Sequence, residues 1–177
     1  MTAVAPVIET ARLRLRGFIA RDLDRQAAAL ADPKVYEHLS GVPTTREDTW
    51  RKMLAGPGLW AVLGYGYWAV ERKADRLFVG QVGFADFKRE LTPSIEGEPE
   101  MGWIFTSDAH GLGFAGEAVA AALAWADQAL PGRSIPAIID AANAASIRLA
   151  ERAGFSARED AVYRGEPILL FRRPSPA

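Results

Sequence analysis

Apolar and polar residues alternate from Ala11 to Phe18, where Leu13 and Leu15 sit between Arg12, Arg14 and Arg16. This period of two predicts a strand with both leucines on one face. The period lengthens over Asp22 to Leu30, placing Leu23, Ala27 and Leu30 on one side of a helix that Pro33 ends or restarts. Thr44 and Glu47 read as a capping box for a helix bearing Trp50, Met53 and Leu54, with Gly56-Pro57-Gly58 as its expected stop. Tyr67 to Glu71 and Leu77 to Phe84 are β-rich runs joined by a polar turn, a hairpin pattern. Phe87 to Glu98 is polar, carries Pro93 and Gly97, and reads as a loop. A short strand follows at Glu100 to Phe105, then a glycine-rich turn at Gly111 to Gly116 and an alanine-rich helix from Ala115 to Leu130. So many small side chains imply close packing of that helix against a sheet. Ile135 to Ile139 reads as a buried strand, Asn143 to Ala153 as a helix capped by Gly154-Phe155, and Ile168 to Phe171 as the closing strand.

Composition narrows the class. At 177 residues, 49% hydrophobic and 24% charged, the chain has the balance of one globular domain over 1–177. It shows no apolar run near the roughly 18 residues of a bilayer span and no basic-then-apolar start, so a cytoplasmic location and no membrane partner are expected. Absent cysteine excludes disulfides and thiolate chemistry, and two histidines, His38 and His110, make a histidine-rich metal site implausible, so no metal is expected. A net charge of −1 gives no reason to expect nucleic acid. Arginines 12, 14, 16, 21 and 25 lead the chain and Glu90, Glu96, Glu98 and Glu100 gather later, a distribution read first as two solvated faces.

The order strand, glycine turn, helix, strand, capped helix between Glu100 and Phe155 carries the chemistry. Glycines before a helix let backbone approach a ligand, and unpaired N–H groups at the helix start favour a phosphate. His110-Gly111-Leu112-Gly113-Phe114-Ala115 therefore reads as a pyrophosphate cradle, against the alternative of a turn that binds nothing. Gly111, Gly113 and Gly116 also spell G-x-G-x-x-G with Asp140 downstream, the pattern of a dinucleotide-binding unit. Thr106 to His110 separate these glycines from the strand, and too little chain follows Asp140 for a doubly wound sheet, so this reading ranks low.

These segments together resemble the GNAT superfamily of N-acetyltransferases, in its ribosomal-protein alanine N-acetyltransferase-like branch. The resembling residues are Gly80-Gln81-Val82-Gly83, Glu100-Met101-Gly102-Trp103-Ile104-Phe105, Gly111 to Ala118, and Asn143-Ala144-Ala145-Ser146 ending in Arg152-Ala153-Gly154-Phe155. The resemblance implies an α+β fold (α/β/α layered), a mixed and mostly antiparallel twisted sheet flanked by helices, with a cleft where two central strands splay. It implies acetyl-CoA as cofactor, with the main chain of Trp103, Ile104 and Phe105 pairing with the pantetheine arm. The pyrophosphate would lie on His110, Gly111, Leu112, Gly113, Phe114, Ala115 and Gly116. His110 departs from the Arg or Gln usual at its position. Asn143 matches the asparagine that bonds the pantetheine region, and its residue type equally suits a plain N-cap.

Amide formation from a thioester needs a base for the amine and a proton donor for the thiolate. Glu98 and Glu100 share a face if their stretch is a regular strand, which Pro99 puts in doubt. The resemblance favours Glu100 as base and Ser146 as the acid or thiol-stabilising group, since Ala150 stands where many relatives place a tyrosine. The acidic stretch would attract a cationic amine, small molecule or protein N-terminus, and Trp50, Trp60 and Tyr65 would wall its pocket unless they are core. The alternative is an idle acyl-CoA-binding domain, and the chain is expected to be a monomer or homodimer.

Overall fold

Leu13 and Leu15 are fully buried, as the alternation requires, on strand β2 (Leu13–Arg16). This computed structural model describes residues 4–175; the ends of the 1–177 domain expectation lie outside them. Strand β1 (Ile8–Glu9) precedes β2, and helices α1 (Leu23–Ala31), α2 (Pro33–Tyr36) and α3 (Arg46–Leu63) follow. Then come β3 (Tyr67–Arg72), β4 (Leu77–Ala85), β5 (Leu91–Thr92), β6 (Glu100–Phe105) and α4 (Phe114–Ala129). The chain closes with β7 (Ile135–Ile139), α5 (Ala144–Arg152), β8 (Ala157–Tyr163) and β9 (Glu166–Arg173).

The strands form two antiparallel sheets, ordered β1-β2-β3-β4-β6 and β5-β8-β9-β7. One core serves both: Val82, Phe84, Met101 and Phe105 of the first sheet and Ala137, Ile139, Leu169 and Phe171 of the second pack with Phe114, Ala118, Val119 and Ala122 of α4. Ala118 and Ala122 are fully buried, so small side chains do bring α4 down onto the sheet. On the opposite face Gln26 of α1 donates to Gln81 of β4 at 2.6 Å.

Two expectations are corrected and one strand is added. The third helix runs through Gly56-Pro57-Gly58 to Gly64, whose φ of 76° ends it. Met53 and Trp60, buried on either side of Pro57, hold the helix together across the lost hydrogen bond, so packing outweighs the proline. Its cap is Thr45, whose hydroxyl oxygen accepts from the Asp48 N–H at 3.1 Å, and not Thr44 with Glu47. The polar run Ala157–Tyr163, unread in the sequence, is a strand because β9 supplies a seven-residue ladder for it.

Arg12, Arg14, Arg21 and Arg25 keep the solvent exposure expected of them, and Arg16 departs from it. Arg16 is 7% exposed, donating to Asp22 at 2.7 and 2.8 Å and to Glu71 at 2.9 Å, while Arg21 also reaches Glu71. The later acidic stretch is likewise paired, Glu96 with Lys88, Glu98 with Arg172 and Glu100 with Arg89.

Candidate active site

β6 ends one sheet and β7 ends the other, and these two edges face each other without a ladder between them. A row of N–H and C=O groups on β6 is thus left without a strand partner, which is what an extended ligand needs for main-chain pairing. The open edge runs from Glu100 to Phe105 and leads through Ser107–Ala109 into the start of α4.

Gly111 and Gly113 adopt φ of 74° and 79°, a region that side chains strain, and Gly111 to Gly113 are exposed. Gly113 is the N-cap of α4 and brings no side-chain hydrogen bond, so the N–H groups of the first turn remain available. This arrangement fits a diphosphate: exposed backbone donors at the positive end of a 16-residue helix, with Glu117 as the acidic residue of its first turn. The predicted Phe114 is buried beneath the turn, so only its backbone faces the cradle; Ala115 is half-buried and Gly116 exposed. Leu112 is 48% exposed.

His110 is exposed, yet its ring turns back: Nε2 lies 3.0 Å from the Phe105 carbonyl, to which only a protonated ring nitrogen donates. That bond engages one of the three main-chain positions expected to meet pantetheine and leaves Trp103 and Ile104 freer than Phe105. Arg12, the residue just before β2, braces the turn instead. Its Nη1 donates to the Leu112 carbonyl at 2.9 Å, its Nε to Glu117 at 2.7 Å, and its guanidinium lies 4.7 Å from the Phe114 ring centre. Glu117 also accepts from the Thr10 hydroxyl at 2.6 Å and the Arg12 N–H at 2.8 Å. Burial raises the Glu117 carboxyl, but these donors together hold it below its usual 4.5. No sequence signal pointed to residues 10, 12 and 117 as one unit, because roughly a hundred positions separate them.

At the other end of β6, Glu100 is 4% exposed and is held by both arms of Arg89, at 2.6 and 3.0 Å. Arg89 also donates to the Tyr163 hydroxyl at 3.0 Å and lies over the Phe87 and Tyr163 rings at 4.7 and 5.0 Å. Burial pushes the Glu100 carboxyl above the usual glutamate range against the pull of Arg89, which makes it a stronger base than a surface glutamate. Glu98 does not share its face: the chain turns at Pro99, where the Glu100 N–H donates to the Glu98 carbonyl at 3.0 Å. Tyr67 of β3 lies against the same strand, and a Cβ on Gly102 would collide with its hydroxyl oxygen. Among the described residues no hydrogen bond satisfies that hydroxyl, and burial drives its pKa up, with Glu100 adding to the effect. Gly102 reads in sequence as an ordinary strand glycine, so neither Tyr67 nor Arg89 was found there.

Across the seam, Asn143 caps α5: its Oδ1 accepts from the Ser146 N–H at 3.0 Å, leaving its amide NH₂ to donate elsewhere. The Ser146 hydroxyl accepts from the Trp103 indole at 3.2 Å, so its own O–H hydrogen remains available. The structure therefore brings Trp103, Asn143 and Ser146 together, with Glu100 farther along the same β6 edge. Trp60 and Tyr65 are 3% and 4% exposed in the core and do not wall a pocket. Asp140 bonds His38 Nδ1 at 3.2 Å and the Ala142 N–H at 2.8 Å, and the antiparallel sheets end the dinucleotide reading.

The family model for the acetyltransferase (GNAT) domain matches residues 12–156, a span that begins at the Arg12 brace and takes in both ends of β6. The chain belongs to the GNAT acetyltransferase family. This acetyltransferase is 30% identical over 173 residues to protein YkkB of Bacillus subtilis (strain 168), covering 94% of both chains. Its fold matches a GnaT-family acetyltransferase from Bordetella pertussis with TM-score 0.81 and 28% identity, covering 95% of this chain and 99% of the other. It also matches RimL, a ribosomal L7/L12 alpha-N-protein acetyltransferase in complex with coenzyme A, with TM-score 0.75 and 16% identity over 96% and 98% of the two chains. The GNAT fold and the N-acetyltransferase class expected from the sequence both hold.

Proposed function

We propose that this acetyltransferase, a single domain acting in the cytoplasm, takes acetyl-CoA as donor and a primary amine, small molecule or protein N-terminus, as acceptor. The observation that carries the reading is the open edge of β6 running into the start of α4, which has no side-chain cap. Backbone along Trp103 to Phe105 suits the pantetheine amides, and the turn from His110 to Gly116 suits the diphosphate. The RimL complex with coenzyme A shows a ligand of this class on the same fold.

Acetyl-CoA supplies an acyl thioester activated toward attack. The protein's part is to remove a proton from the amine and to return one to the sulfur. Glu100 takes the amine proton on a carboxylate lone pair that Arg89 leaves unused, since each oxygen accepts one bond from the guanidinium. The amine nitrogen bonds to the acyl carbon as the C–S bond breaks. Ser146 donates a hydrogen bond to the departing thiolate with the hydrogen that Trp103 leaves free, and the proton taken by Glu100 passes through solvent to the sulfur, so the serine stays neutral. Asn143 orients the pantetheine arm with its amide NH₂.

Isothermal calorimetry with acetyl-CoA and with NAD, followed by thiol release with N-terminal Ala or Ser peptides, polyamines and aminoglycosides, tests this reading. Acetyl-CoA binding with thiol release on one amine supports it. Binding without release on any amine, or binding of NAD alone, sinks it.

A further inference from the structure

An anion at the start of α4 meets a favourable dipole and also Glu117, a carboxylate in the helix's first turn. Left alone, that charge would oppose a diphosphate. Arg12 cancels it through the 2.7 Å Nε contact and the backbone N–H, and Thr10 shares the load. The same guanidinium fixes the Leu112 carbonyl through a 2.9 Å hydrogen bond, so that oxygen is already engaged. Its Nη2 lies beside Gly113, 3.3 Å from where a Cβ would stand, and the side chain is 50% exposed. His110, the turn's own titratable residue, has its Nε2 committed to Phe105.

We propose that Arg12, held in place by Glu117, is the cation of the diphosphate site and the positioning residue of the cradle. This rests on the coenzyme A reading above and assigns to the first long strand a role that the glycine turn alone does not reveal. Glu117 serves as a holder whose own charge works against the ligand. Arg12 and Glu117 therefore have opposite signs of effect on binding, which a purely structural clip would not give.

The test is calorimetric affinity for coenzyme A and dephospho-coenzyme A, with thermal denaturation to confirm folding. Arg12→Ala and Arg12→Gln are expected to weaken both ligands about tenfold, the size of one charge-assisted hydrogen bond. Glu117→Gln, which keeps an acceptor oxygen for Arg12 and Thr10 and removes the opposing charge, is expected to tighten both ligands, and Arg14→Ala, whose partner is the surface residue Glu9, leaves affinity unchanged. Equal weakening by the Arg12 and Glu117 variants, or no weakening by either Arg12 variant, overturns the proposal. A loss restricted to coenzyme A overturns the assignment to the diphosphate, because dephospho-coenzyme A lacks only the 3′-phosphate. Failure of the wild type to bind coenzyme A at all would instead overturn the functional reading beneath it.

Discussion

On the function proposed above, the two ends of β6 serve one cleft by different means. The cradle end is backbone: Gly111 and Gly113 in positive φ, the first turn of α4 without a side-chain cap, and Arg12 holding the Leu112 carbonyl. The acyl end is side chain: Glu100 clasped by Arg89, the Tyr67 hydroxyl laid over Gly102, Ser146 joined to Trp103. Backbone sites bind through shape and fixed dipoles, whereas side-chain sites move protons. Variants at the two ends should therefore separate affinity from turnover.

The largest effect is expected from Glu100→Gln, with turnover falling about 10²- to 10⁴-fold while acetyl-CoA affinity stays unchanged. Steady-state thiol release set against calorimetry reads both, and a parallel loss of affinity would erase the division between the ends. Because burial raises the Glu100 carboxyl, the acid limb of kcat/KM should lie above the ordinary 4.5 and disappear in this variant. At the cradle, Gly113→Val forces a β-branched residue into φ of 79°, at a cost of about 1–2 kcal/mol, and the coenzyme A Kd should rise about five- to thirtyfold.

Smaller effects sharpen the contrast. Tyr67→Phe removes a hydroxyl that no described residue satisfies, so its Tm should equal or exceed that of the wild type. A fall in Tm would reveal a partner for the hydroxyl. Glu117 has its pKa lowered, so its contribution to stability is complete above the ordinary 4.5 and is lost as pH falls through the lower folded value. The Tm gap between wild type and Glu117→Gln should thus be present at neutral pH and vanish in acid, as denaturation across that range would show.

The same division governs what the sequence revealed. Glycine at 111 and 113 is required by backbone geometry, so the cradle is spelled in consecutive letters, and the alternation at Leu13 and Leu15 likewise gave β2. Pairings across the chain leave no such trace. Arg12 reaches Glu117, Tyr67 reaches Gly102, and Arg89 reaches Glu100 only after the sheets have formed. Propensity misled where tertiary packing overrode it: Met53 and Trp60 carry α3 past Pro57, and β9 makes a strand of the polar run at Ala157. Asn143 was legible as a helix cap, the part the structure bears out, whereas the part assigned to Ser146 rests on the family resemblance.

The gap between β6 and β7 bears on how the whole molecule holds together. Sheet edges usually lie at the rim of a protein, whereas here two of them face inward, and the halves they belong to are joined by packing and by α4 instead of a continuous ladder. A guest bonded along β6 becomes, in effect, a strand of the fold. By mass action its concentration then enters the melting temperature directly, with a hundredfold excess over Kd worth about 2.7 kcal/mol. On the function proposed above, resistance to heat would be tied to the supply of the acetyl donor.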